Sequence, residues 1–562
     1  MEIYLIGCAI ILAFLIIQFY TANTKRKKNF HERIIHEWGK VPEREYTEAE
    51  FESITHYYRN TIKNSAVEDN CVDDITWNDL DMDEIFMQMN NTYSSAGEEY
   101  LYYMLRTPQV SEDELLKREE LITFFANNKD AREKLQMVYG EIGRKRGISV
   151  SDYISRLKDV QRENNWKHYS IILMLFAVVG IFFIDTTIGV LGFVAFTFYS
   201  IMSYYKRKSI IEHYFVCFRI INNMISNIKK IRKCDIFILE PYIKEMEVAA
   251  HNLRGIEKGV GILPTDNLTG SILDLVLDYI RMMTHIDLIR FNNMLCIFLE
   301  KEEEVNVIIK NVGLIEAMIA VASFRENLDY YCIPELADGK PGYIDVSEIY
   351  HPVLVNPVSN SITTKKSVLI TGSNASGKST FLKSVAINAI LAQTIHTAAS
   401  KEYRASFFKI MSSMALKDNL LGNESYYIVE IKSLKRIIDN ISGDVPVLCF
   451  VDEVLRGTNT IERIAASSQI LKFLSGRNAI CFAATHDIEL THILEGMYAN
   501  YHFQEEVLED DIMFNYKLYE GRAVSRNAIK LLKVMGYEDA IIDEANQNAA
   551  YFIEEGKWKT IV

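Results

Sequence analysis

The stretch "LITGSNASGKSTFLKSV", residues 369–385, decides the fold of the C-terminal part of the chain. Gly372 to Ser379 fits the spacing GxxxxGK[ST], lies directly after the apolar run Val368-Leu369-Ile370, and opens a helical pattern beginning at Thr380. Strand, glycine loop and helix in that order make a phosphate cradle. The glycines let the backbone wrap closely, successive N–H groups and the helix N-terminus face phosphate oxygens, and a lysine neutralises the β/γ charge. The candidate nucleotide-binding residues are therefore Gly372, Ser373, Asn374, Ala375, Ser376, Gly377, Lys378, Ser379 and Thr380, with the Ser379 hydroxyl on Mg2+.

Two further strand ends complete the set. Val447–Val451 is an apolar run that stops at Asp452-Glu453. Asp452 is placed to hold the magnesium shell and Glu453 to orient or deprotonate an attacking water. "AICFAATH", residues 479–486, ends in Thr485-His486, where the histidine can sense a γ-phosphate. Lys378, Glu453 and His486 are thus the catalytic candidates, and Ser379 with Asp452 the metal candidates. Short β-like runs alternate with helical ones from about residue 341, after Gly339, Pro341 and Gly342, which predicts an α/β P-loop ATPase domain on a parallel sheet. ATP and Mg2+ are the implied cofactors.

Upstream the pattern is helical. Residues 73–140 and 209–330 carry Leu, Met, Phe and Tyr at three- and four-residue spacing with few prolines. The formal net charge of −14 excludes a surface that is basic throughout, so any nucleic-acid contact has to be local. The eight cysteines are scattered, without a CxxC pair, and read as reduced thiols rather than zinc ligands.

Two apolar blocks are long enough for a bilayer. Residues 3–20, IYLIGCAIILAFLIIQFY, are followed by Lys25-Arg26-Lys27-Lys28 and read as a retained anchor with the next segment on the cytoplasmic side. The block from Tyr169 to Tyr205 breaks at Asp185-Thr186-Thr187 and is flanked by Lys167 and by Lys206-Arg207-Lys208, which predicts a hairpin of two spans with both ends cytoplasmic. The expectation is a multi-pass protein of a bacterial-type cell membrane with three transmembrane helices in contact with lipid and its soluble domains cytoplasmic.

"TGSNASGKST", "FVDEVLRGTNT" and "ATHDIELT" together resemble the MutS DNA mismatch-repair ATPase family, whose members show TGxNxxGKST, a DExxRGT run and ATHxxEL. "GNESYYIVEIKSL", residues 422–434, is similar to the family's S[ST]FxxE segment, with Ser425 at the serine that reaches the partner subunit's nucleotide in trans and Glu430 at its glutamate. "NNTYSSAGEEYLYYMLRTP" resembles the start of the family's helical core, His351-Pro352 the opening of its ATPase domain, and residues 521–545 its C-terminal dimerisation segment. The resemblance implies a homodimer through the ATPase domains and DNA as a partner. Glu462-Arg463 stand where the family usually has Asp-Gly, and an anchor stands where mismatch readers carry their N-terminal domain.

The implied organisation is an N-terminal transmembrane anchor at 1–22, a juxtamembrane segment at 23–72, a helical core/lever domain at 73–340 interrupted by the hairpin at 169–205, and the MutS-like ATPase domain at 341–562 with its C-terminal helical segment. An ABC-type transporter would need an LSGGQ-like signature between Lys378 and Asp452, and none is there. A nucleotide-binding scaffold without catalysis would not need Lys378, Asp452, Glu453 and His486 together.

Overall fold

The computed structural model describes residues 2–62, 69–257, 272–339, 341–373, 376–414, 426–441, 443–507, 512–523, 529–530, 532 and 535–560. Asn374, Ala375 and Ser425 lie outside them. The chain forms two compact units. One contains residues 1–65, 90–103 and 121–323, and the other residues 66–89, 104–120 and 324–562.

The first unit is helical. Its helices include α1 (Glu2–Glu37), α2 (Ser95–Arg106), α3 (Lys129–Ile142), α4 (Trp166–Phe182), α5 (Thr186–Lys233), α6 (Ile272–Thr284), α7 (Ile286–Glu300) and α8 (Glu302–Asn327). Its core is aromatic: Phe215 and Phe218 of α5 meet Phe291 of α7 edge-on with centroids 5.6 Å away, and the Tyr139 hydroxyl donates to the Val312 carbonyl at 3.1 Å. Lys27 of α1 and Lys230 of α5 both pair with Glu141 of α3, tying three helices at one carboxylate.

α8 and α5 both hold apolar stretches of membrane length, and burial separates them. The most apolar window of α8 is 83% buried, whereas that of α5 is 17% buried. α8 is therefore a core helix. α4 and α5 pack against each other as a helical hairpin, with the break where Asp185 accepts from the Thr187 and Ile188 amides and starts α5. α5 does not stop at Tyr205. It runs on for 48 residues, about 72 Å at 1.5 Å per residue, because its lower half carries the core-facing stripe Ile211, Phe215, Phe218, Ile221 and Ile225.

Glu316 sits wholly inside this unit and caps α2. It accepts from the Tyr93 amide at 2.5 Å, the Ser94 amide at 3.2 Å and the Ser94 hydroxyl. A Cβ on Gly97 would lie 2.1 Å from Glu316 Oε2, so only glycine allows this approach. Burial outweighs the three donors and raises the carboxyl to about 7. A carboxyl raised on folding stabilises the protein fully below its unfolded value and loses that contribution as pH rises through the folded value. Between pH 6 and pH 8 the loss is about 1 kcal/mol, so thermal melts are expected to show Tm falling over that range and Glu316→Gln flattening the dependence.

The second unit carries two mixed sheets. β1 (Glu335–Ala337), β2 (Ile344–Ile349), β3 (Asn360–Thr364) and β5 (Glu402–Ser406) form a four-stranded sheet in the order β1-β5-β2-β3. β4 (Ser367–Thr371), β6 (Lys409–Ser413), β7 (Val447–Asp452), β8 (Ala479–Ala484), β9 (Tyr498–Val507) and β10 (Ile512–Glu520) form a six-stranded sheet in the order β10-β9-β4-β8-β7-β6. All its neighbours are parallel except β9 and β10. β4 is buried along its whole length and β7 and β8 along nearly all of theirs, as parallel strands covered on both faces require. The helices that follow are α9 (Lys378–Ile395), α10 (Tyr426–Asp439), α11 (Thr460–Ser475), α12 (Ile488–Ile493) and α13 (Asp539–Glu555).

The units do not part at residue 340. Residues 66–89 and 104–120 fold with the sheets. Asp79 accepts from the Ser412 hydroxyl at 2.7 Å and the Met414 amide at 2.9 Å, Asp73 pairs with Arg436, and Asp81 with Lys383. These carboxylates dock the short helices Asp74–Asp79 and Met82–Met89 onto β6, α10 and α9.

Candidate nucleotide-binding site

The site lies at the carboxyl ends of β4, β7 and β8, where open α/β sheets bind ligands. The loop after β4 is shaped by two glycines with positive φ. Gly372 has φ of 151°, and a Cβ there would lie 2.8 Å from the Phe503 carbonyl. Gly377 has φ of 106° and directly precedes α9. Lys378 is the first residue of that helix and is 5% exposed. Its ammonium folds back on the loop, donating to the carbonyls of Gly372 at 2.8 Å and Ser373 at 2.7 Å. Burial pulls its pKa below the ordinary lysine value against the attraction of Asp452 and Glu453.

The structure brings Ser379 and Asp452 together: the hydroxyl donates to Asp452 Oδ2 at 2.5 Å. Among the described residues, Asp452 Oδ1 and the Ser376 hydroxyl are buried without a hydrogen-bond partner. Two orphaned oxygen atoms beside a buried ammonium fit a Mg2+–phosphate ligand, since one can ligate or accept and the other donate. Among the described residues no three His, Cys, Asp or Glu side chains could hold a metal by themselves, which suits a magnesium ion carried largely by phosphate and water.

Glu453 and His486 also converge. His486 Nε2 lies 2.9 Å from Glu453 Oε1, and Arg456 pairs with the other oxygen. Burial would raise the Glu453 carboxyl, but the His486 hydrogen bond and the charges of Arg456, His486 and Lys378 outweigh it and hold the carboxyl below the usual range. Glu453 has φ of 57° and Leu455 of 60°. A left-handed non-glycine residue costs about 1–3 kcal/mol and persists only where its surroundings hold it. Here the holder is Glu430 of α10, 3% exposed, which accepts from the Leu455 amide, while the Glu453 amide donates to the Ala484 carbonyl at 2.9 Å.

Sequence reading missed several members. Glu505 of β9 accepts from the Ser373 hydroxyl at 2.9 Å, and the Tyr516 ring of β10 flanks Gly377. A cavity of about 350 Å3 opens beside Gly377, Thr380 and Phe381, walled by His351, Leu354, Val355, Pro357, Val358 and Tyr516. Burial, with Lys383 repelling and Asp81 opposing, lowers the His351 pKa to about 4, so the imidazole is neutral at pH 7. An uncharged, mostly apolar wall beside the phosphate loop suits a nucleobase. Only the His-Pro pair hinted at it in the sequence.

Arg463, the departure noted above, clamps Asp487 through Nε at 2.9 Å and a terminal nitrogen at 2.6 Å. Asp487 is the N-cap of α12, yet its carboxylate makes no capping bond because Arg463 takes both oxygens. The pair thus fixes the residue next to His486 from the first turn of α11. Arg463→Ala frees the carboxylate to swing onto the α12 amides. It is expected to lower kcat about tenfold, 1.4 kcal/mol, with KM for nucleotide little changed. Asp487→Asn should do the same and the double variant no worse, in steady-state kinetics.

The profile of MutS domain V matches residues 368–552, a stretch that contains the phosphate loop and all three strand ends. The chain is MutS-related. The DNA mismatch repair protein MutS of Natronomonas pharaonis is 28% identical over 44% of this chain and 29% of its own length. That of Clostridium beijerinckii is 30% identical over 43% and 27%, and the MutS protein homolog 4 of Mus musculus 30% over 43% and 27%. The MutS-related chain therefore aligns with under a third of the length of these relatives.

Proposed function

We propose that the MutS-related chain binds and hydrolyses ATP as a dimer, that it is tethered to a membrane, and that its ATP cycle acts on DNA. The observation that carries the ATPase reading is the convergence of Lys378, Ser379, Asp452, Glu453 and His486 at the ends of three adjacent parallel strands. Lys378, the loop amides and Ser376 would hold the phosphates, Ser379 and Asp452 the Mg2+, and the His351–Tyr516 cavity the base. Bound Mg2+ neutralises charge on the phosphate oxygens. Glu453, kept ionised by His486 and Arg456, orients and deprotonates the attacking water. Ser425 is assigned to the partner's nucleotide by its place in the S[ST]FxxE-like segment.

The tether reading rests on side chains that water would not retain. Phe183 and Ile184 at the hairpin tip are 88% and 87% exposed, and Leu173, Phe176, Leu191, Val194 and Phe198 follow along both helices. Leaving one such side chain in water forgoes about 1.5–3 kcal/mol of burial. A contiguous surface of this kind marks a membrane or protein contact. DNA as partner rests on the likeness to proteins named for mismatch repair, and the acidic net charge confines any such contact to a local patch.

The test is made on detergent-solubilised full-length protein. ATP turnover is measured alone and with homoduplex, mismatched and branched DNA, and binding of each DNA is followed from low to high salt with and without nucleotide. Turnover with salt-sensitive DNA binding supports the whole proposal. Turnover without binding of any DNA at low salt removes DNA from it.

A further inference from the structure

α6 is built inside out. In water a surface helix buries its apolar stripe and exposes its charges. α6 turns the guanidinium of Arg281 inward, 9% exposed and 2.7 Å from Asp278, while Val276, Leu277, Tyr279 and Ile280 face outward, Tyr279 at 59%. The helix packs along both α4 and α5. Met283 joins the cluster of Ile171, Val178 and Phe196, and the Met282 carbonyl accepts from the Ser200 hydroxyl at 2.6 Å.

The contact with Ser200 sets its depth. Trp166, Tyr169 and Tyr205 are exposed at the open end of the hairpin beside Lys167 and Lys206, the aromatic and basic signature of a headgroup level. Ser200 lies five residues above Tyr205 on the same helix, about 7.5 Å toward the hairpin tip. The end of α6 is therefore on the acyl side of the aromatic belt, and its outward residues are exposed on a helix packed against the hairpin whose Leu173, Phe176 and Phe198 are exposed as well.

We infer that α6 is a lipid-facing helix, with Val276, Leu277, Tyr279 and Ile280 in contact with acyl chains beside the hairpin. The inference rests on the tether reading above and extends it to a segment whose hydropathy does not announce it. A bilayer is the occupant that accounts for the polarity, because an acyl environment rewards apolar residues outside and drives a guanidinium inside. A protein partner brings polar rim contacts, and from 276 to 280 the outward face of α6 offers it only the Tyr279 hydroxyl, a group that also suits the headgroup side of an acyl layer, and Asp278, which is engaged with Arg281.

The protein is reconstituted in nanodiscs with Cys8, Cys71, Cys234, Cys296 and Cys332 changed to serine, and single cysteines are added by Ile280→Cys, Val276→Cys, Phe198→Cys and Val248→Cys. Each carries a fluorophore and is quenched by doxyl lipid or by aqueous iodide. Labels at 280 and 276 are expected to match 198, quenched by lipid and shielded from iodide, with 248 the reverse. If 198 meets lipid while 280 and 276 meet iodide, the inference falls and the tether stands. If 198 also meets iodide, the tether fails and the inference with it. Shielding of 280 and 276 from both quenchers replaces lipid by a protein contact and also overturns it. Two positions on α6 guard against one variant failing to fold.

Discussion

Glu453→Gln is expected to lower ATP turnover by about two to four orders of magnitude, the usual worth of a positioned general base, while nucleotide still binds. The amide keeps the size of the side chain and can still meet His486, now 2.9 Å from Glu453 Oε1. It cannot take a proton. Because the carboxyl is held below the usual range by His486, Arg456 and Lys378, it is ionised throughout the neutral region. The wild-type rate should not lose its base between pH 6 and pH 8, and a decline belongs on the acid side of the ordinary carboxylate value. His486 engages one carboxylate oxygen and Arg456 the other, and each oxygen keeps acceptor capacity for a water. Single-turnover kinetics with equilibrium ATP binding separate the step from binding. Undiminished turnover in Glu453→Gln would remove Glu453 from the role.

The parts of the site that were legible in the sequence are those encoded locally. A phosphate loop needs its glycines, lysine and serine within eight consecutive residues, and strand ends announce Asp452-Glu453 and Thr485-His486 by an apolar run that stops. Glu505 and Tyr516 were not legible, because each reaches the loop from β9 or β10 more than a hundred residues away and only the sheet order β10-β9-β4 brings them there. Arg463 and Asp487 read as an odd residue in one motif and a variable position in another until the fold paired them. The domain boundary was hidden for a similar reason. Asp73, Asp79 and Asp81 look like ordinary acidic residues at short helix ends, yet their carboxylates meet Arg436, Ser412 and Lys383 and assign residues 66–89 to the sheet unit. Hydropathy located the hairpin but could not see that α5 continues to Lys233, where the apolar residues change from an all-round distribution to a core-facing stripe. It also passed over α6, whose Arg281 guanidinium is turned inward where a water-facing helix exposes such a group.

Lys378→Ala is expected to weaken ATP binding by about ten- to a hundredfold. A hydrogen bond to a charged group is worth about 1.5–3 kcal/mol, and each 1.4 kcal/mol is a factor of ten in affinity. Lys378 has a second role that separates it from Glu453. Its ammonium donates to the carbonyls of Gly372 and Ser373, in a loop where Gly372 and Gly377 take positive φ. Removing it leaves those carbonyls short of a donor in a half-buried place. The nucleotide-free protein should therefore melt at a lower temperature in Lys378→Ala but not in Glu453→Gln. Lys378→Arg should not rescue binding, because the larger guanidinium has to enter a site where the native side chain is only 5% exposed. Equilibrium titration with a fluorescent ATP analogue, read beside the melts, tests both halves. Unchanged affinity in Lys378→Ala would mean that the phosphates do not lie in the 372–379 loop, and the chemistry assigned to Ser379, Asp452 and Glu453 would have to move with them.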